Sequence, residues 1–144
     1  MEEEFSGNAK ALYEYMIQNG YNRKYRITWL VDDPEQYRKY RTHHVRFIKR
    51  FNDSHRFHNP ACYKAALKAR YVFFNRYFNW LEVKSKDQVR IELWNGCGFA
   101  VPTEKEQENI TFDYAVVPGE CFIRPQAKYF HCARKKILPI GDAR

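Results

Sequence analysis

The chain has 144 residues, of which 44% are hydrophobic and 17% aromatic, enough for one globular domain with a buried core. Its 25 basic and 17 acidic residues give a net charge of +8, which favours an anionic partner such as a phosphate polymer, nucleotide, nucleic acid or anionic lipid. A basic surface that serves only solubility stays open as the alternative.

The start of the chain, Met1-Glu2-Glu3-Glu4, lacks the apolar region of a signal peptide, and no apolar run is long enough to span a bilayer. We therefore expect a cytoplasmic protein that can rest peripherally on the inner face of the cell membrane. The four cysteines form no C-x-x-C pair, which favours reduced thiols.

Helices and strands alternate along the chain. The first helix is predicted from Asn8, as N-cap, to a stop at Gly20. Further helices are predicted over 35–41, over 61–69, where Asn59-Pro60 opens the helix, and over 122–130. The predicted strands cover 25–31, 45–48, 70–74, 89–93, 114–117 and 136–139. We expect the polar helix 35–41 to lie on the outside and the apolar strand 70–74 to be buried on both faces.

This alternation predicts a single α/β domain over residues 1–144 with a doubly wound, mostly parallel Rossmann-like sheet. The central stretch runs from Val89 to Gly98, where a strand breaks at Gly96 and Gly98. Glycine lets the backbone approach a ligand closely, and ligands of open α/β sheets bind beyond the carboxyl ends of strands. The turn after this strand is therefore the candidate site.

Residues 93–98, Leu-Trp-Asn-Gly-Cys-Gly, resemble the Trp-His-Gly signature of the bacterial CDP-glycerol glycerophosphotransferases, the teichoic-acid primases and polymerases. The resemblance extends from residues 8–15 to residues 137–141. It implies the N-terminal, acceptor-side half of a GT-B glycosyltransferase, with this turn in the cleft between two domains. The implied partners are CDP-glycerol and a lipid-linked glycerol-phosphate acceptor, with no cofactor and no metal.

Asn95 stands where the family carries a catalytic histidine that acts as a base on the acceptor hydroxyl. An amide can orient a hydroxyl but cannot take its proton at neutral pH. The residues implied to bind substrate are Trp94, Gly96, Cys97 and Gly98. A plain turn-forming role for Asn95 before Gly96 stays open.

The resemblance also implies a second, C-terminal nucleotide-binding domain, whereas this sequence stops at Gly141-Asp142-Ala143-Arg144 with alanine in place of the family's proline. We therefore expect a truncated copy, or a separately expressed N-terminal portion, that is inactive or very slow alone. The alternative function is a non-catalytic binding or assembly module for a polyanionic polymer or a protein partner.

Three other candidate sites have weaker support. His55, His58 and Cys62 have metal-ligand spacing but no second pair, so we expect no metal site. The basic and aromatic stretch 37–51 carries no recognised nucleic-acid motif, so we expect no nucleic-acid partner, although its cations could face anionic lipid. For Cys97, we expect a small filler of the turn rather than a nucleophile, because no base can be named for it.

Overall fold

The computed structural model describes residues 5–51, 59–75, 84–93 and 112–141. Within these ranges the chain forms an α/β fold with two parallel sheets. The helices are α1 (Gly7–Gln18), α2 (Pro60–Lys68) and α3 (Ile123–Tyr129), and the strands are β1 (Ile27–Val31), β2 (Val45–Lys49), β3 (Tyr71–Phe74), β4 (Val89–Glu92), β5 (Tyr114–Val116) and β6 (Ile137–Leu138). The predicted mixed α/β class with parallel strands is confirmed for these elements.

The smaller sheet pairs β1 with β2 and packs around Phe5, whose side chain is only 3% exposed. The Phe5 ring has its centroid 4.7–5.6 Å from the centroids of five other rings, those of Tyr13, Trp29, Tyr37, Tyr40 and Phe47. Most of these pairs are edge-to-face or tilted, the arrangement that aromatic quadrupoles favour. Because Tyr13 belongs to α1, this cluster attaches the first helix to the smaller sheet.

The larger sheet has the order β3-β4-β5-β6, with all neighbours parallel. On one face, Ala66 of α2 packs near Phe74, and Ala127 of α3 joins a core cluster with Ala115. On the other face, Leu12 of α1 borders the sheet. Helices therefore flank both faces, as a doubly wound fold requires. None of the helices in the described ranges is long and apolar enough to cross a membrane.

The start of α2 follows its local sequence. The side chain of Asn59 accepts a hydrogen bond of 2.9 Å from the backbone N–H of Ala61, and Pro60 occupies the first helical position. Asparagine at the N-cap followed by proline is a favoured helix start, because proline lacks the N–H that would otherwise need a partner. The prediction for this helix is confirmed.

The helix predicted over 35–41 is wrong. Only Arg38–Tyr40 forms a single 3₁₀ turn there. The carboxylate of Asp33 accepts a 3.0 Å hydrogen bond from the backbone N–H of Glu35, the same capping contact that Asn59 makes at α2, but the residues after it form turns and not an α-helix. Tyr37 and Tyr40 then pack against the Phe5 cluster, so this segment is not simply an outer surface.

One expectation about burial is also wrong. Strand β3 is an edge strand of the described sheet, and its Tyr71 and Phe73 are 45% and 40% exposed. On β4, Arg90 and Glu92 are more buried than the apolar Val89 and Ile91, at 1% and 2% exposure. The more buried face of β4 therefore carries its polar side chains.

Candidate functional site

The carboxyl ends of β3 and β4 meet at one edge of the larger sheet, and the first turn of α1 lies against them. The buried side-chain N–H of Asn8 donates a 3.0 Å hydrogen bond to the carbonyl oxygen of Leu93, the residue after β4. Asn75, the residue after β3, accepts a 3.2 Å bond from the backbone N–H of Ala9 and donates a 3.3 Å bond to the carbonyl of Ser6. We call these two asparagines and their three bonded groups the amide clamp.

The amide clamp corrects the prediction that Asn8 is the N-cap of α1. Ser6 is the N-cap, with extended backbone and no capping hydrogen bond from its side chain. Asn8 lies in the first helical turn and is completely buried. A cap satisfies the N–H groups of its own helix, whereas Asn8 satisfies a carbonyl 85 residues away. Gly20 is confirmed as the helix stop, since it adopts the left-handed conformation just beyond the C-cap residue Asn19.

The candidate catalytic residue Asn95 and the candidate substrate-binding residues lie outside the described residues. The latter are Trp94, Gly96, Cys97 and Gly98. The structure does describe Leu93, the residue that directly precedes them. Both backbone groups of Leu93 are bonded, because its N–H donates to the carbonyl of Phe74 at 2.8 Å and its carbonyl accepts from Asn8. The backbone that leads into residues 94–98 is therefore held by hydrogen bonds to the end of the neighbouring strand and to α1.

Beneath this edge, β4 and the residue before it carry three buried polar side chains at alternate positions, those of Gln88, Arg90 and Glu92. The amide of Gln88 donates to the carbonyls of Ala66 and Ala69 at 2.7 and 2.8 Å, which satisfies orphan carbonyls at the end of α2. Arg90 Nε donates to Gln88 Oε1 at 3.0 Å. Burial lowers the pKa of the Arg90 guanidinium, and the nearby charge of Asp113 partly opposes this effect.

Asp113 fixes the opposite end of β4. One of its carboxylate oxygens accepts a 2.7 Å bond from the backbone N–H of Arg90, and Lys84 Nζ lies 2.6 Å from the same oxygen. Partial burial works to raise the pKa of this carboxyl. The hydrogen bonds from Lys84 and from the Arg90 backbone outweigh that effect, and the pKa of Asp113 is lowered. Asp113 therefore stays ionised as a structural anion at the amino end of the strand, away from the candidate site.

A groove of about 240 Å³ runs along the other face of the larger sheet, beside Leu93. Its lining is Leu12, Phe73, Ile91, Leu93, Val116, Leu138, Ile140 and Gly141. This lining is apolar throughout, so the groove offers contact to apolar groups and no charge to a phosphate. Phosphate binding at this edge therefore requires groups other than those lining the groove.

The other predicted candidates are not assembled into sites. His55 and His58 lie outside the described residues, and Cys62 is buried in α2, where burial raises the pKa of its thiol to about 11. Among the described residues, no three His, Cys, Asp or Glu side chains lie close enough together to hold a metal ion. Within the basic and aromatic stretch, Phe47 is buried as expected.

Sequence reasoning missed the amide clamp. Two signals were available: Asn8 is a poor helix former inside a predicted first turn, and Asn75 directly follows a predicted strand. Neither signal says which backbone group the amide will meet. That partner depends on tertiary packing.

A match over the whole sequence identifies the family of this chain. The family described as CDP-Glycerol:Poly(glycerophosphate) glycerophosphotransferase matches residues 1–144. The chain belongs to this family. A comparison with curated proteins found no match.

Solved structures of the wall teichoic acid polymerase TagF share the fold of this glycerophosphotransferase-family chain. One of them, at 20% identity and a TM-score of 0.73, covers 97% of the chain and 36% of TagF. A histidine-to-asparagine variant soaked with CDPG gives 20% identity and a TM-score of 0.73, with 98% of the chain and 38% of the polymerase covered. The same kind of variant without the soak gives 21% identity and a TM-score of 0.72, covering 97% and 36%.

These comparisons confirm the predicted family and the predicted fold class, a parallel Rossmann-like sheet like that of a GT-B glycosyltransferase. The chain spans little more than a third of the polymerase that it matches. The reaction, substrates and partners of a whole glycerophosphotransferase are therefore proposals for this chain.

Proposed function

We propose that this chain is the acceptor-side domain of a glycerophosphotransferase of teichoic-acid or related wall-polymer synthesis, and that it presents residues 94–98 to the acceptor. The observation that carries this proposal is the Asn8–Leu93 hydrogen bond of 3.0 Å, buried at the carboxyl edge two residues before Asn95. Ligands of open α/β sheets bind at such edges. A turn whose root is fixed in this way has the support that a binding loop needs.

The proposed reaction joins an acceptor hydroxyl to the β-phosphate of CDP-glycerol. The acceptor oxygen forms a bond to the β-phosphorus, the bond from that phosphorus to the bridging oxygen breaks, and CMP leaves with the bridging oxygen. The hydroxyl proton must pass to a base. The amide of Asn95 can hold the hydroxyl by hydrogen bonding, but it cannot accept this proton to a useful extent.

We infer that this chain turns over very slowly or not at all while Asn95 is present. General-base catalysis contributes roughly 10²–10⁴-fold to a rate, and this is the factor that an amide forgoes. The amide clamp holds Leu93, two residues before Asn95, and the absence of a proton-accepting group at Asn95 is the proposed cause of slow turnover that a substitution can test.

The proposed acceptor is a lipid-linked glycerol-phosphate chain, with the protein resting on the inner face of an anionic membrane. Exposed cations such as Arg38 and Lys39 support this orientation, because basic side chains are attracted to anionic headgroups. Other cations of the same stretch are already paired. Arg41 contacts Glu35 at 2.8 Å, and Arg50 contacts Asp32 at 3.1 Å.

A second candidate function is a non-catalytic binding or assembly module. The apolar groove favours it, since Phe73 and Ile140 on its border are 40% and 72% exposed. Exposed apolar surface next to a groove commonly marks a place where another molecule packs. In this case Asn95 would serve only the turn.

The deciding experiment measures CMP release from CDP-glycerol in the presence of a glycerol-phosphate oligomer. The chain itself should remain near background, while Asn95→His should raise the rate by about 10²–10⁴-fold. Asn95→Gln, which keeps an amide, is the matched control and should stay at background. Rapid turnover by the unaltered chain would overturn the inactive assignment. If Asn95→His releases no CMP but still binds the oligomer, the result would favour the binding module.

A further inference from the structure

Three tyrosine rings lie side by side on the surface where α1 ends and the chain turns toward β1. The ring centroids of Tyr15 and Tyr21 are 6.2 Å apart, and those of Tyr21 and Tyr25 are 6.3 Å apart with an interplanar angle of 19°. These side chains are 56%, 39% and 48% exposed, in chain order. By contrast, Tyr13 of the same helix is only 6% exposed. Three exposed aromatic rings that lie next to one another are unusual.

Three cations are neighbours of Tyr21 and Tyr25 in the sequence. Arg23, Lys24 and Arg26 are all exposed, and the sequence has no acidic residue from Asn19 to Val31. We call the three tyrosines and these three cations the tyrosine platform. The local charge is therefore strongly positive, which attracts anions such as phosphate.

A half-open recess of about 250 Å³ lies within the tyrosine platform, lined by Asn19, Gly20, Tyr21 and Lys24. The side chain of Arg23 folds back over Gly20, since a Cβ at Gly20 would lie 3.8 Å from its Cδ and 3.9 Å from its Nε. Tyr21 and Lys24 thus line this concavity, and the Arg23 side chain lies close to its Gly20. These side chains carry donors that bind phosphate oxygens.

The arrangement of the rings favours one class of ligand. Tyr21 and Tyr25 stack on each other, so their faces are partly covered, whereas sequence-independent nucleic-acid binding needs free faces for bases. The aromatic members of the platform are all tyrosines, whose hydroxyl groups suit a hydrated ligand better than insertion among acyl chains. The phenol hydroxyls can hydrogen-bond the O–H groups of a polyol, and the cations can pair with its phosphates.

We propose that the tyrosine platform binds a polyol phosphate chain, at a place separate from the turn at residues 94–98. The proposal rests on the proposed function for the identity of that chain, since the family is described by its poly(glycerophosphate) substrate. The platform lies at the C-terminal end of α1, and the amide clamp lies at the N-terminal end. A chain held here would be gripped along its length rather than at its reacting end.

The test measures binding of a fluorescently labelled glycerol-phosphate oligomer to the whole chain at low ionic strength. Lys24→Glu, and separately the double substitution Tyr21→Ala with Tyr25→Ala, should each weaken binding by about tenfold, the effect of losing one charge-assisted contact. Tyr71→Ala is the matched control. Tyr71 is 45% exposed beside Arg70, whose guanidinium carbon lies 5.9 Å from the ring centroid, but it lies outside the platform. This control should bind as the unaltered chain does.

Equal binding by Lys24→Glu and the unaltered chain would overturn the proposal, as would an equal loss in Tyr71→Ala. Because Lys24 is exposed, Lys24→Glu keeps the test decisive even if the double tyrosine variant fails to fold. Competition by inorganic polyphosphate, oligo-dT or anionic vesicles as effective as that by unlabelled oligomer would also overturn it. CMP release by Asn95→His is measured separately from this binding, so a failure of the proposed reaction remains distinguishable from a failure of the platform.

Discussion

Asn8 and Leu93 are joined by a buried hydrogen bond of 3.0 Å between residues 85 positions apart. The donor lies in the first turn of α1 and the acceptor directly follows β4. This contact holds Leu93, the residue that directly precedes the candidate site, and it involves none of residues 94–98.

Asn8→Ala should lower the free energy of unfolding by about 1–3 kcal/mol, because it leaves the buried carbonyl of Leu93 without this donor. Urea denaturation followed by circular dichroism measures the change. Asn19→Ala is the control, since Asn19 donates an exposed 2.8 Å bond within its own helix end. An equal loss in both variants would show that burial of the Asn8 bond has no special importance.

Gln126→Leu should raise the free energy of unfolding by about 1 kcal/mol. Within the described part of the chain, the Nε2 group of Gln126 is the buried side-chain group that lacks a hydrogen-bond partner. Removing an unsatisfied amide removes its desolvation cost.

Gln88→Leu is the matched comparison for Gln126→Leu. The amide of Gln88 donates to two carbonyls at 2.7 and 2.8 Å, so this variant should lose about 1–3 kcal/mol. Thermal and urea unfolding of the two variants should shift in opposite directions. A shift in the same direction would contradict the assigned hydrogen bonds.

Asp113→Asn should make stability less sensitive to acid. The pKa of Asp113 is lowered in the folded state, so its stabilising effect is complete above the unfolded pKa and is lost as the pH falls through the folded pKa. The variant should therefore be less stable than the unaltered chain at neutral pH, with the difference shrinking in acid. Melting temperatures between neutral pH and acid measure this, with the exposed Asp87→Asn as control.

Thiol labelling should separate the cysteines by burial. Burial raises the pKa of Cys62 to about 11, whereas Cys121 is exposed. Because thiolate is the reactive form, iodoacetamide at neutral pH should label Cys121 readily and Cys62 only after unfolding. Peptide mass spectrometry of samples with and without urea measures the difference. Rapid labelling of Cys62 in the folded protein would contradict its placement in α2.

Elements with a strong local signal could be predicted from the sequence. The cap at Asn59 with Pro60 needs only neighbouring residues, and the short strands β2 and β5 need only their own apolar side chains. These predictions held, apart from a residue or two at the ends of the elements.

Features that depend on distant partners could not be predicted. Arg90 is buried beside Gln88, whose amide in turn donates to Ala66 of α2, and the local sequence does not indicate this partner in α2. In residues 35–41, Tyr37 and Tyr40 contact Phe5, a partner about thirty residues away that the local sequence does not indicate. The candidate site was located by the resemblance and the strand–glycine pattern, and the roles of residues 94–98 remain predictions.

The first helix connects regions of the fold that otherwise belong to different sheets. Tyr13 holds its middle to the aromatic cluster of the smaller sheet, and Asn8 holds its start to the larger one. A helix of 12 residues is a stiff rod of about 18 Å. A force applied at the C-terminal end of α1, near Tyr21, would therefore be transmitted to Leu93, the residue that precedes residues 94–98.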